Sequence, residues 1–240
     1  MLQLKKSLSN HIFLMMIVII TLAFLLGYFL PVGIDKKNSV SYSEYMFSVY
    51  TVLTQFGFLL FCFMIAQFFN KDYADKNIVF YRVLGINVYQ YFFSKVLALV
   101  LEAIVCIFIG LVVVSLIYGD FSQLLIYFYF MALVTVQNIL IVGIISTLFS
   151  SLILSIGFSI AYWIFGILVS AFNPNLSFFA PFDASNDIAY HLSKLSGLNH
   201  GTIDQSIYLQ GAIYIVSLAF ICSIILFLSQ KRWVKLGIRG

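Results

Sequence analysis

"VLALVLEAIVCIFIGLVVVSLIY", residues 96–118, is apolar along its length but for Glu102, Ser115 and the terminal Tyr118. A bilayer core about 30 Å thick takes roughly 20 such residues in one helix, so this stretch is long enough to cross it. Five further runs of the same kind lie at about 12 to 30, 47 to 69, 124 to 149, 152 to 172 and 208 to 229. Composition agrees: 62% of the 240 residues are hydrophobic, 18% aromatic and only 9% charged, and mean hydropathy is +1.06. That leaves too little polar surface to wrap a water-soluble core. A barrel would instead need short alternating strands of about ten residues. The expectation is an all-α integral membrane protein of six transmembrane helices, a single transmembrane domain over 1–240.

The first run follows Lys5 and Lys6 like a signal peptide. Its apolar stretch exceeds a signal core of about 7 to 15 residues, and Gly27-Tyr28-Phe29-Leu30-Pro31 offers no small-residue cleavage site. It reads as a retained span. Loop charges set the orientation. With the N-terminus in the cytoplasm, Lys5, Lys6, Lys71, Lys76, Arg82, Lys95, Lys231, Arg232, Lys235 and Arg239 lie inside, ten of the thirteen basic residues. Only Lys36, Lys37 and Lys194 fall outside, so both termini are expected to be cytoplasmic and the net charge of +4 reports topology rather than nucleic-acid binding. The expected location is a multi-pass one with the basic connections on the cytoplasmic side. Short connections at Gly119–Gln123 and Ser150–Ser151 make the flanking helices antiparallel. No internal repeat suggests an inverted-repeat transporter.

The most charged connection is "NKDYADKNIVFYRVLGINVYQYFFSK", residues 70–95, between the second and third spans. From Tyr73 to Leu84, Ile78, Val79, Tyr81 and Leu84 alternate with Asp75, Lys76 and Arg82, a mix that suits a short helix along the membrane surface. Gly85 is a stop signal. Tyr89, Tyr91, Phe92 and Phe93 then re-enter the bilayer, with Lys95 as interfacial anchor. By itself the segment could equally be a basic loop that only fixes topology.

The order of features resembles the permease subunits of type-2 ABC exporters: a short basic N-terminus, six spans and a cytoplasmic connection after the second. The resemblance is most specific through Asp75, Asn77, Ile78, Leu84, Gly85, Asn87, Tyr91, Phe92 and Lys95, although that family often has Glu and Thr where Asp75 and Asn77 stand. It implies that Asp72, Asp75, Asn77, Ile78, Arg82, Leu84 and Gly85 form a coupling helix docking on a separate ATP-binding cassette ATPase. It also implies a bacterial cytoplasmic membrane, a second permease copy or sister permease, and a re-entrant segment between the fifth and sixth spans near the exit. The chain contains no Gly-Lys dipeptide and therefore no P-loop. ATP and Mg are thus expected on the partner chain, with no cofactor bound by this one.

The outer segment "NPNLSFFAPFDASNDIAYHLSKLSGLNHGTIDQS", residues 173–206, carries Phe178, Phe179, Pro181 and Phe182, too apolar for a solvated loop. It is either re-entrant or interfacial. His191 and His200 have no metal-ligand spacing, and Cys62, Cys106 and Cys222 sit in spans as packing residues, so no metal site is expected. Ser155, Gly157, Ser159 and Ala161 form a small-residue stripe that suits either a dimer contact or packing within one subunit.

Glu102 is costly inside a bilayer, by about 2.5 to 3.5 kcal/mol at a helix centre. It follows Lys95 by one heptad and lies roughly 10 Å further in on the same face. It could join Gln55, Gln137 and Asn138, or tyrosine hydroxyls, in a structural network, or face the substrate path and attract a cationic cargo. No HExxH, GxSxG or paired intramembrane Asp supports an enzyme. The expectation is the transmembrane subunit of an ATP-driven exporter of an amphipathic or hydrophobic substrate, a peptide, antibiotic or lipid. The lean is toward toxic peptides, as in bacteriocin-immunity or phenol-soluble-modulin exporters. The alternative is a non-transporting immunity or sensor protein.

Overall fold

The computed structural model describes residues 2–34, 36, 39–172, 178, 180, 182, 186–196 and 203–239. Its longer elements are α1 (Leu2–Ser9), α2 (Ile12–Gly33), α3 (Tyr42–Gln55), α4 (Gly57–Ala74), α5 (Asn77–Val83), α6 (Val88–Tyr118), α7 (Leu124–Leu148), α8 (Leu152–Phe172), α9 (Ile188–Ser196) and α10 (Gln205–Arg239). No strand occurs among the described residues. Five helices, α2, α6, α7, α8 and α10, are long and apolar enough to cross a membrane, and α3 with α4 passes the same test together as a bent pair, a sixth candidate.

That bend corrects the expectation of one continuous helix over 47 to 69. α3 and α4 meet at 52° around Phe56. No proline is present to cause it. Instead Thr51 Oγ1 donates to Phe47 O at 2.9 Å and Thr54 Oγ1 to Thr51 O at 3.0 Å, side-chain bonds that compete with the ladder and bend helices. Gly57 then adds a residue of low helix propensity at the junction.

Helix ends elsewhere follow local chemistry. Ser41 with Glu44 and Asn87 with Gln90 form capping boxes that start α3 and α6. Gly119, at φ 69°, ends α6 in the left-handed conformation that costs glycine nothing. The Asn87 cap starts α6 at Val88, well before the apolar run at 96, which carries Tyr91, Phe92 and Lys95 into the helix. At the other end of the chain, α10 continues past 229 to Arg239.

The most buried span is α7, packed against α3, α4, α6, α8 and α10, whereas α8 is the least covered. The core joins side chains from α2, α3, α4, α6, α7 and α10. Both chain ends meet α5: Gln3 of α1 bonds Tyr81, and Gly237 of α10 backs onto Ile78. This gathers the charged segments at one end of the bundle. At the opposite end α9 lies on α3, burying Ile188, Leu192 and Leu195.

Candidate functional site

The charged end is built around one carboxylate. Asp72, near the end of α4, is fully buried. It accepts from Lys6 of α1 and, at 3.2 Å, from Asn77 Nδ2 of α5. Its other oxygen lies 2.6 Å from Lys95 Nζ of α6. A single side chain therefore ties four helices together. Lys95 is also fully buried; its ammonium donates to Phe68 O at 2.5 Å and lies 4.2 Å from the Phe68 ring centroid. A buried charge is tolerated only when paired and hydrogen-bonded, and both conditions hold here.

These positions revise two expectations. Asp72 belongs to α4 and faces inward, so it holds the segment in place and presents nothing to a partner. Lys95 anchors no headgroup, because the early start of α6 turns it into the bundle toward Asp72. For Lys6, burial opposes the charge, but the bond to the Asp72 carboxylate, its field and Tyr81 outweigh that, holding the ammonium above the ordinary lysine value of 10.5.

The short helix is narrower than the expected Tyr73–Leu84, since Tyr73 and Ala74 complete α4 and α5 begins at Asn77. Its inner face buries Ile78 and Tyr81. A Cβ on Gly237 would overlap Ile78 Cγ2 and Cβ, so only glycine lets α10 approach this closely. Its outer face is different in kind. Phe80 is 60% exposed and Val83 80%, with Leu84 beside them, and Asp75, Lys76, Arg82 and Gly85 are exposed around them. A depression of about 320 Å³ lined by Ile78, Val79, Arg82, Val83 and Val234 opens between α5 and α10. Gly85, at φ 75°, ends the turn.

The intramembrane polar residues separate rather than converge. Glu102 is 5% exposed, and Ser7 Oγ of α1 donates to its Oε2 at 2.8 Å. Its partner is thus the N-terminal helix, not Gln55, Gln137 or Asn138. Gln137 Nε2 donates to Ala180 O at 3.1 Å and to Tyr214 Oη at 2.8 Å, and Tyr214 Oη donates to Phe178 O at 3.0 Å. Phe182 is buried and packs edge-on against Tyr214. This pins the described part of the outer segment to α7 and α10. Phe179, Pro181 and His200 lie outside the described residues. Asn138 is buried beside Gly57 at the α3/α4 junction, and Gln55 is exposed there.

The small-residue stripe splits between two faces. Ser155 and Ser159 are buried, Ser155 Oγ accepting from Asn70 Nδ2 at 2.8 Å, while Gly157 and Ala161 are exposed. Among the described residues no cluster of His, Cys, Asp and Glu could hold a metal ion. Sequence reasoning missed α1. Its signal was the i, i+4 pair Gln3 and Ser7 with Lys6 beside it, a polar stripe that faces the bundle instead of water.

An all-helical bundle with five continuous spans and one broken one, carrying polar contacts within its membrane-spanning helices, is a multi-pass protein of the bacterial cell membrane, and the comparisons place it among export permeases. The chain belongs to the peptide export permease protein YydJ family, whose model matches residues 1–238. It is 41% identical over 238 residues to the probable peptide export permease protein YydJ of Bacillus subtilis (strain 168), covering 99% of each chain. No solved structure matches.

Proposed function

We propose that this permease is the transmembrane subunit of an ATP-driven exporter of an amphipathic or hydrophobic peptide, energised by a separate ATP-binding cassette subunit that docks on α5. The observation that carries this is the outer face of α5, where apolar Phe80, Val83 and Leu84 stand exposed among Asp75, Lys76 and Arg82. An apolar patch rimmed by charge marks a protein contact. The excess of basic residues at this end supports a cytoplasmic position for it and for both termini, on the side where the ATPase would hold ATP and Mg. The name of the Bacillus relative supports a peptide cargo, and the aromatic, weakly charged spans suit an amphipathic one. Export works through a pair of permeases, for which the exposed Gly157 and Ala161 face of α8 is a close-approach surface.

Co-expression with any P-loop ATPase encoded by an adjacent reading frame tests this. Purified complex is expected with the natural chain and is lost with Phe80→Asp combined with Val83→Asp, while membrane insertion stays normal. Undiminished complex with that variant sinks the docking claim. A well-inserted natural chain that recruits no ATPase fits instead a non-transporting immunity or sensor protein.

A further inference from the structure

Ser48, Thr51 and Gln55 of α3 recur at helical spacing and occupy one face, which continues outward to Glu44. They line a cleft of about 530 Å³ whose opposite wall is Leu30, Pro31 and Ile34 of α2. Side chains on this face are half-buried, and Gln55 is exposed. At 1.5 Å per residue, Gln55 lies roughly 20 Å along the helix from Tyr42, near the middle of the bilayer. A polar stripe running that deep is expensive against lipid, and such side chains face water-filled space or a polar ligand.

The stripe ends where the helix breaks. Phe56 N–H donates to Val52 O and Leu60 N–H to Phe56 O, with Phe56 itself outside both helices. On the inner side of the same break, Asn138 is 4% exposed and its Nδ2 has no hydrogen-bond partner. Irregular backbone at membrane depth is tolerated where it lines a cavity. Here the break meets the cleft through Gln55 and Phe56, at the inner end of the polar stripe.

We infer that the α3 stripe from Ser48 through Thr51 to Gln55, with the break at Phe56 as its inner end, is a wet, outward-opening track that receives the main-chain amides of the exported peptide. This rests on the peptide-export reading above. The Ser48 hydroxyl and the Gln55 amide replace water around the peptide's polar groups as it leaves, and the Thr51 oxygen, whose proton goes to Phe47 O, can only accept. The apolar wall of α2 accommodates its side chains.

Cysteine accessibility tests the track without needing the cargo. In a chain with Cys62, Cys106 and Cys222 replaced by Ala, single cysteines at 48, 51 and 55 are treated in cells with a charged methanethiosulfonate added outside. They are expected to react at least about tenfold faster than cysteines at Ile109 and Phe165, exposed apolar positions on other spans where lipid suppresses the thiolate. Rates no higher than at those controls overturn the inference. In a second arm, peptide released by cells co-expressing the ATPase is quantified by mass spectrometry. Replacing Ser48 by Val, Thr51 by Val and Gln55 by Leu together is expected to lower release at least tenfold at equal complex abundance, and unchanged release overturns the track. Cells with the natural chain that release no peptide overturn the export reading instead, while fast labelling still establishes the wet track.

Discussion

Lys95 Nζ sits 2.6 Å from Asp72 Oδ2 with both side chains fully buried, joining the end of α4 to the start of α6 beneath α5. The helix that carries the exposed apolar patch is therefore braced from behind by charge, and Lys6 adds α1 to the same brace. α5 is thus tied to α4 and α6 through a joint whose alternative is an unpaired buried ion.

The joint is asymmetric, which gives a first prediction. Asp72 serves two ammonium groups, and each ammonium has other contacts. Asp72→Asn leaves Lys95 buried without a counter-charge and is expected to cost about 3 to 5 kcal/mol, the usual penalty for removing one partner of a buried pair. Lys95→Met leaves Asp72 its bond from Lys6 and costs less. Thermal unfolding in detergent should rank the natural protein, Lys95→Met and Asp72→Asn in that order, with Asp72→Leu plus Lys95→Met recovering part of the loss. Equal losses for both single variants contradict the ranking.

The pH response of α1 follows from Lys6. Its pKa in the folded protein is raised above the ordinary 10.5. A raised lysine contributes stability that is complete below the unfolded value and is lost as pH rises through the folded one. Protection of α1 amides from hydrogen exchange, corrected for intrinsic rate, should hold up to about pH 10 and fall above it. Lys6→Met should show weaker protection and lack this Lys6 component. An identical alkaline fall in both proteins removes Lys6 as the cause.

Close contact of α10 with α5 predicts a steric rescue. Gly237→Ala forces a methyl into Ile78 and should cost about 1 to 3 kcal/mol, the range for overpacking. Ile78→Ala in the same chain removes the nearer of the two obstructing carbons but keeps Cβ, 2.6 Å from the added methyl, and should restore part of the ATPase binding that the single variant weakens. Binding measured by surface plasmon resonance decides this. If Ile78→Ala deepens the defect of Gly237→Ala, the contact is not what limits docking.

Spans were legible in the sequence because lipid solvates a helix by its outer face, and a long apolar run is a local property. The membrane class and the exporter-like order of elements could therefore be read from residues alone. Contacts between distant segments could not. Nothing near Asp72 marks it as the partner of Lys6 and Lys95, and its place in a charged connection made an exposed role the natural expectation. Likewise the break at Phe56 has no proline to announce it and arises from threonine hydroxyls turned onto their own helix. Ser48, Thr51 and Gln55 did carry a visible signal, their spacing of three and four, but it lay within a run otherwise apolar enough to pass as a plain span.

The far end of the bundle supplies the last prediction. Gln137 Nε2 donates to both Ala180 O and Tyr214 Oη, so this amide in α7 adds to the direct Tyr214 Oη to Phe178 O bond in holding the outer segment and α10 together. Gln137→Leu keeps the volume but removes both donations, and losing buried hydrogen bonds of this kind costs about 1 to 3 kcal/mol. The loss falls on the outer segment, while α5 and the Asp72 brace lie at the opposite end. The variant should therefore bind the ATPase normally, yet be cut faster by a protease added outside the cell, between α8 and α10. Slowed cleavage, or a loss of ATPase binding equal to that of the α5 variants, contradicts a role confined to the outer end. Gln137→Glu discriminates further: a neutral carboxyl can still donate one of the two bonds, so its cleavage rate should fall between those of the natural chain and Gln137→Leu.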